Sequence, residues 1–338
     1  MIPACDHRAT LGEARKKGGR SAGDARPDTV LVTGGGGFVG RHLVRGLIAA
    51  GMRVHATLNP AGERAGPPGV TGAELHRVDL RDHRAVASLF ATVRPDYVFN
   101  LVCGRGESTP AERRATLDST LGATASVIEA AVAVRIRRFI QVGSSTEYGP
   151  IEAPVSEAAA LAPTTLFGAA KGAATLLCIA AARSGRLPAA VLRPFAVYGP
   201  EDRPHRLVPT AIEAAISGTE LPLTRPGLRR DWVFVGDVVD ACLAALCGGA
   251  DGEVVNVATG VQHANEEVVD LVEHATGRTV RRRPGAEAAR PWDSTIWVAD
   301  TRNAERLLGF RAATPLQRGL ELTVSAAGAN RATLATSP

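Results

Sequence analysis

A run of four glycines lies between a β-branched strand pattern and the first amphipathic helix pattern, and it constrains the fold more tightly than any other feature of the chain. Residues Thr29 to Thr33 (TVLVT) read as a short buried strand. Gly34, Gly35, Gly36, Gly37, Phe38, Val39 and Gly40 follow, and Leu43, Val44, Leu47 and Ile48 then recur at helical spacing until Gly51. Glycine allows a tight turn and lets backbone N–H groups come close to a ligand. The amino end of the helix adds a field that favours negative charge. A glycine loop in this strand-to-helix context reads as a pyrophosphate cradle, the first βα unit of a dinucleotide-binding sheet.

The alternation continues along the chain. Arg53–Leu58, Glu74–Val78, Tyr97–Val102, Arg138–Val142 and Ala189–Leu192 read as strands, with Ala-rich helices expected at about 115–134 and 165–182. Strands separated by helices predict an α/β fold, a Rossmann-like doubly wound parallel sheet with helices on both faces. After Pro200 the pattern loosens, and Pro204, Pro209, Pro222 and Pro226 divide shorter elements. Residues 28–200, with a return at about 236–260, are assigned to an NAD(P)-binding domain; 201–235 and 261–324 are assigned to a smaller C-terminal substrate domain. Residues 1–27 read as a disordered tail and 325–338 as a frayed one.

Composition narrows the partners. The net charge is +5, of which residues 1–27 contribute +3, so the body lacks the basic stripe that a nucleic-acid partner requires. Aromatic residues are only 4%, which leaves few rings for base stacking. The five Cys form no CxxC pair and mostly sit in apolar runs, as expected of reduced thiols in a cytoplasmic protein. The eight His show no HExxH or comparable spacing, so no metal site is expected. No apolar stretch approaches the ~20 residues of a spanning helix, so no membrane partner is expected either.

The second strand ends Thr57-Leu58-Asn59, without the carboxylate that would hold a ribose 2′-hydroxyl. Arg41 and Arg64 are near enough in sequence to meet a 2′-phosphate, and the cofactor reading (NADP or NAD) leans to NADP(H). Asp79 follows the third strand and is a candidate adenine partner or a helix cap.

From Thr29 to Thr323 the chain resembles the extended short-chain dehydrogenase/reductase family of nucleotide-sugar epimerases, dehydratases and reductases. The resemblance rests on motifs that occur in order. TGGGGFVG (33–40) is similar to the family's TGxxGFxG, and VGSSTEYG (142–149) to its serine motif. LRPFAVYGP (192–200) is similar to its RPxxVYGP segment, and RDWVFVGD (230–237) to its RDFxxVxD segment. Asn256 to Gly260 (NVATG), Arg290-Pro291 and Asp300 also match. The resemblance implies cofactor contacts at Gly34, Gly37, Phe38, Val39, Gly40, Arg41, Asn59, Asp79, Leu80, Leu101 and Lys171. It implies a nucleotide-sugar substrate, met by Ser145, Thr146, Arg230 and Arg290, and a homodimer formed through the two long Ala-rich helices.

The family's chemistry moves a hydride between the nicotinamide and a sugar carbon. A Ser or Thr hydroxyl and a YxxxK pair on one helix face serve the sugar oxygen and the ribose. Here Ser144 matches the hydroxyl and Lys171 the lysine, while Phe167 stands in the tyrosine position. Lys171 is one of only three lysines (with Lys16 and Lys17) among 39 basic residues, so a compact ammonium at that point is a marked choice in an arginine-rich chain. Phenylalanine has no proton to give, and losing a positioned acid costs roughly 10²–10⁴ in rate. Lys171, Ser144, Thr165, Glu147 and Tyr148 are the alternative proton sources, with Glu147 expected to face solvent. Ser145 and Thr146 replace the Asp and Glu of the family's dehydratases. The leading expectation is a 4-ketoreductase of a nucleotide 4-keto-6-deoxyhexose. The alternatives are a nucleotide-sugar 4-epimerase and a catalytically silent NAD(P)-binding protein.

Overall fold

The computed structural model describes residues 27–60, 70–104, 106, 108–247, 249–288, 290 and 293–335. Apart from Pro27, the expected N-terminal tail lies outside the described residues, as do Arg64 and Pro291.

The first βα unit forms where the glycines place it. Thr29–Thr33 is strand β1, buried at every residue, and Phe38–Ala49 is helix α1. β2 (Arg53–Leu58), β3 (Glu74–Arg77), β4 (Tyr97–Asn100), β5 (Arg138–Val142), β6 (Ala189–Pro194) and a late strand, Val254–Val257, complete a seven-stranded sheet. All its neighbouring pairs are parallel. Its order is late strand, β6, β5, β4, β1, β2, β3, so the chain reverses direction across the sheet between β1 and β4. Loops diverge at such a switch point and open a crevice at the carboxyl ends of the strands.

One face is covered by α1 and Val235–Ala245, joined through a core that includes Leu43, Leu47, Val235, Val238 and Val239. The other face carries His83–Val93 (α2), Ala123–Val134 and Leu166–Arg183, packed around Phe90, Val127, Phe139 and Cys178. The first Ala-rich helix begins earlier than its alanines suggest. Pro110–Leu117 (α3) starts behind a capping box of Thr109 and Glu112, and one π turn, Asp118–Gly122, leads into α4 (Ala123–Val134). By length and composition the run Pro110–Val134 and the helix α5 (Leu166–Arg183) would each pass as a membrane span, contrary to the sequence expectation; in the fold both lie against the sheet.

The chain leaves the large sheet before residue 200. β7 (Ala196–Tyr198) pairs with β9 (Arg229–Phe234), which in turn pairs antiparallel with β11 (Gln262–Ala264). Between them come α6 (Leu207–Ser217), β8 (Glu220–Pro222), α7 (Val235–Ala245) and β10 (Val254–Val257). α8 (Asn265–Thr276), β12 (Arg281–Arg283), which pairs with β8, and α9 (Arg302–Leu308) follow. The last helix, α10, runs Leu316–Ala335, so the stretch from 325 read as frayed is helical through Ala335. Ser325 Oγ donates to the Glu321 carbonyl within it. Gly319 lets α10 lie against the ring of Tyr198, where a Cβ would meet the Tyr198 Cζ at 2.8 Å.

Candidate active site

Gly34, Gly35 and Gly40 stand where the glycine loop has no room for side chains. Gly34 is left-handed (φ +67°), and a Cβ on it would press on the Leu101 and Val102 backbone at 3.3 Å. A Cβ on Gly40 would run into the Gly34 carbonyl oxygen. The Gly37 N–H donates to that carbonyl (3.0 Å), and the Gly34 N–H donates to Thr57 Oγ1 (3.3 Å). α1 opens at Gly37 without a side-chain cap and without an acidic residue in its first turn. A bare helix amino end beside a Cβ-free loop fits the pyrophosphate of a dinucleotide.

The other expected cofactor residues surround this loop with mixed roles. Phe38 is buried in the core and Val39 packs against it, so each offers the crevice its backbone amide rather than its side chain. Leu101 lies under Gly34 and Leu80 is buried beneath the β3 end. Asp79 takes a two-pronged contact from the Arg81 guanidinium (2.9 and 2.7 Å), which holds its carboxyl below the ordinary value; the helix cap is Asp82, not Asp79. Asn59 is exposed one residue past β2. Arg41 NH1 lies 3.4 Å from Glu201, whose two oxygens are taken up by Arg45 (2.7 and 2.8 Å), so two guanidiniums share one carboxylate there.

The expected catalytic residues gather at the amino end of α5. Thr165 caps it, accepting from the Gly168 N–H at 2.9 Å. Gly168 lets this first turn rest on the serine motif: a Cβ there would stand 2.5 Å from the Thr146 carbonyl oxygen. Lys171 is 3% exposed, and its Nζ donates to Val142 O at 2.7 Å and Val102 O at 3.5 Å. Those carbonyls lie at the end of β5 and just beyond β4, so the ammonium sits at the carboxyl edge of the sheet. Phe167 is partly buried one turn earlier on the same helix.

Ser144 and Thr146 form a hydroxyl pair, with Oγ and Oγ1 2.8 Å apart; Ser144 Oγ also accepts from the Thr146 N–H. Ser145 is buried and accepts from Trp297 Nε1 at 3.3 Å. Glu147 corrects the expectation of a solvated carboxylate. It has no exposed surface, accepts from the Ser144 N–H at 2.8 Å and pairs with Arg193 Nε at 2.7 Å. Burial pushes the Tyr148 phenol up to about 12, and its hydroxyl donates to Asn256 Oδ1 (2.7 Å). Glu147 and Tyr148 are thus committed to internal partners, as is the buried Lys171 ammonium, whereas Ser144, Thr146 and Thr165 remain partly exposed.

On the opposite wall, Arg230 donates to Asp293 Oδ1 (3.2 Å) and to Arg229 O (2.7 Å), and stacks 5.2 Å over the Trp297 ring. The Arg290 guanidinium pairs with Glu287, and the Arg290 backbone N–H donates to Asp293 Oδ2 at 2.9 Å. Asp293 therefore gathers both expected phosphate-binding arginines. Asp231 organises the adjoining loop, accepting from the N–H groups of Thr259 (2.8 Å) and Gly260 (2.9 Å). Trp297 joins the two walls by touching both Ser145 and Arg230. Sequence reasoning missed it; the scarcity of tryptophan, only three in the chain, was the one signal available.

Comparison with known proteins agrees with this geometry. The family model for the NAD dependent epimerase/dehydratase family matches residues 30–258. The chain is 29% identical over 335 residues to the dTDP-glucose 4,6-dehydratase of Streptomyces niveus, covering 90% of this chain and 94% of that protein. It is 29% identical over 304 residues to the low-salt glycan biosynthesis protein Agl12 of Haloferax volcanii, covering 87% and 97%. Among solved structures, the UDP-glucose 4-epimerase of Thermus thermophilus in complex with NAD superposes with a TM-score of 0.79 at 29% identity, covering 88% of this chain and 98% of that one.

Proposed function

The chain belongs to the NAD-dependent epimerase/dehydratase family of the extended short-chain dehydrogenase/reductase group, and from that premise we propose that it is a 4-ketoreductase of a nucleotide-activated 4-keto-6-deoxyhexose. The observation that carries the reading is Phe167 one helical turn before the buried Lys171, on a turn that rests against a Ser144–Thr146 hydroxyl pair. An epimerase must take a proton from a sugar hydroxyl and later return one, which calls for a reversible acid–base group where Phe167 stands. A ketoreductase needs one proton delivered in one direction. A dehydratase needs a carboxyl acid and base, and Ser145 and Thr146 occupy the positions matched to them.

When bound, the nicotinamide dinucleotide supplies the hydride. NADPH and NADH are both to be tried, because Arg41 and Arg45 share the single carboxylate of Glu201 while the similar structure from Thermus thermophilus is a complex with NAD. The bare amino end of α1, which opens at Gly37, would hold its pyrophosphate. Lys171, whose Nζ is held at the carboxyl edge of the sheet by Val102 O and Val142 O, would hold the ribose. As C4 becomes tetrahedral, Ser144 Oγ passes its proton to the sugar oxygen and draws one from Thr146 Oγ1, which solvent replenishes through the partly exposed Thr146. Arg230 holds the sugar nucleotide's diphosphate, turning from Asp293 to the phosphate oxygens. Leu117, Leu176 and Leu177, exposed on α3 and α5, support a homodimer through these helices.

Nucleoside diphosphate 4-keto-6-deoxyhexoses should oxidise NADPH or NADH in stoichiometric amounts with this protein. Ser144→Ala should lose roughly 10²-fold or more in kcat, while Phe167→Tyr should change it less than tenfold. No turnover across the panel of bases, or a silent wild type awakened by Phe167→Tyr, would contradict the assignment.

A further inference from the structure

The edge of the large sheet carries a cluster that the proposed reaction does not use. β2 and β3 pair in parallel with His55 opposite Glu74 and Thr57 opposite His76. Directly paired residues of neighbouring strands share a face, and residues two apart on one strand share it too. The ladder therefore sets His55, Glu74 and His76 on one face of the sheet. The two rings lie edge to edge with nearly parallel planes (20°) and centroids 5.2 Å apart, and His55 Nδ1 lies 2.9 Å from His76 Nε2. The Glu74 carboxylate straddles them, with Oε2 3.7 Å from His55 Nδ1 and Oε1 3.8 Å from His76 Nε2.

We propose that His55, Glu74 and His76 bind one divalent transition-metal ion, zinc by the chemistry of the donors, with water completing the coordination. Zinc holds nitrogen and carboxylate oxygen at about 2.0–2.2 Å, so the edges of its tetrahedron are about 3.3–3.5 Å. The observed separations of 2.9, 3.7 and 3.8 Å bracket that edge, and the more exposed His76 ring turns so that both nitrogens converge on the ion. The rings now share one proton between facing nitrogens. On binding, that proton moves to the far nitrogen of its own ring and both facing lone pairs turn to the ion.

The surroundings suit this use. His55 is 4% exposed and buried among strand residues, so one ligand is rigid and its imidazole is held below the ordinary value by burial. The Glu74 side chain is 57% exposed, which leaves an entry path from solvent. The facing cation is Arg53, whose NH2 is 3.8 Å from Glu74 Oε2; an ion displaces it from an exposed contact of little energy. A bound ion ties edge strand β3 to β2, whose carboxyl ends lead to Asp79 and Asn59. The expectation of no metal site came from helix spacings such as HExxH; the spacing here, Glu74-Leu75-His76, is that of a strand.

The test uses full-length, tag-free protein stripped with a chelator and titrated with zinc against a chromophoric competitor. Wild type should bind one equivalent with a Kd of about 1 µM or tighter. His76→Ala should weaken binding at least tenfold and Glu74→Gln to a smaller extent, with circular dichroism unchanged. His76→Gln serves as the second variant should His76→Ala misfold. Cobalt in place of zinc should give intense visible bands in wild type that the His76 variants lose. Absence of stoichiometric binding, or equal affinity in the His76 variants, overturns the site.

Discussion

Glu147 sets a negative charge where no solvent reaches it, held by Arg193 and by the Ser144 N–H. Breaking one side of such a pair leaves the other charge buried and unpaired. Glu147→Gln should therefore lower unfolding free energy by about 3 kcal/mol, measured by urea denaturation, and a loss under about 1 kcal/mol would contradict the buried pairing. The same substitution loosens the turn that presents Ser144. That Lys171 would stand apart from the solvated arginines was legible from sequence, because lysine is rare here. The role of Glu147 was not, because its partner lies 46 positions away among 36 arginines that composition cannot tell apart.

Elements formed where local chemistry was strong and shifted where it was shared. The glycine cluster announced both the end of β1 and the start of α1. α3 starts at Pro110 rather than near Ala115 because Thr109 and Glu112 cap each other and proline suits the first turn, a signal outside the alanine pattern. α1 also carries a pH dependence. His42 Nε2 meets the Pro200 carbonyl at 2.9 Å, and burial holds this imidazole below its ordinary value against the pull of that bond. A depressed folded value means that stability is present above about pH 6.5, the unfolded value, and is lost as pH falls through the folded one. The urea midpoint should fall between about pH 7.5 and pH 5.5, and His42→Gln should flatten that slope; parallel curves for the two proteins would contradict it.

Across the whole molecule, the sheet and its switch point followed from the order of elements, but the assembly of the site did not. Trp297 reaches Ser145 across 152 positions, Asp293 gathers Arg230 and Arg290, and β7 leaves the large sheet to pair with β9. Such contacts depend on how loops from the late part of the chain fold back over the carboxyl edge, which no local pattern encodes. What this assembly should perform is a one-way reduction at the sugar carbon beside a phenylalanine. The most direct test supplies coenzyme deuterated at its transferable position, together with a nucleotide 4-keto-6-deoxyhexose, and follows the product by mass spectrometry and NMR. One deuterium should appear at C4 for each coenzyme oxidised. An unlabelled, isomerised sugar with the coenzyme unchanged, or both molecules bound without conversion, would contradict it.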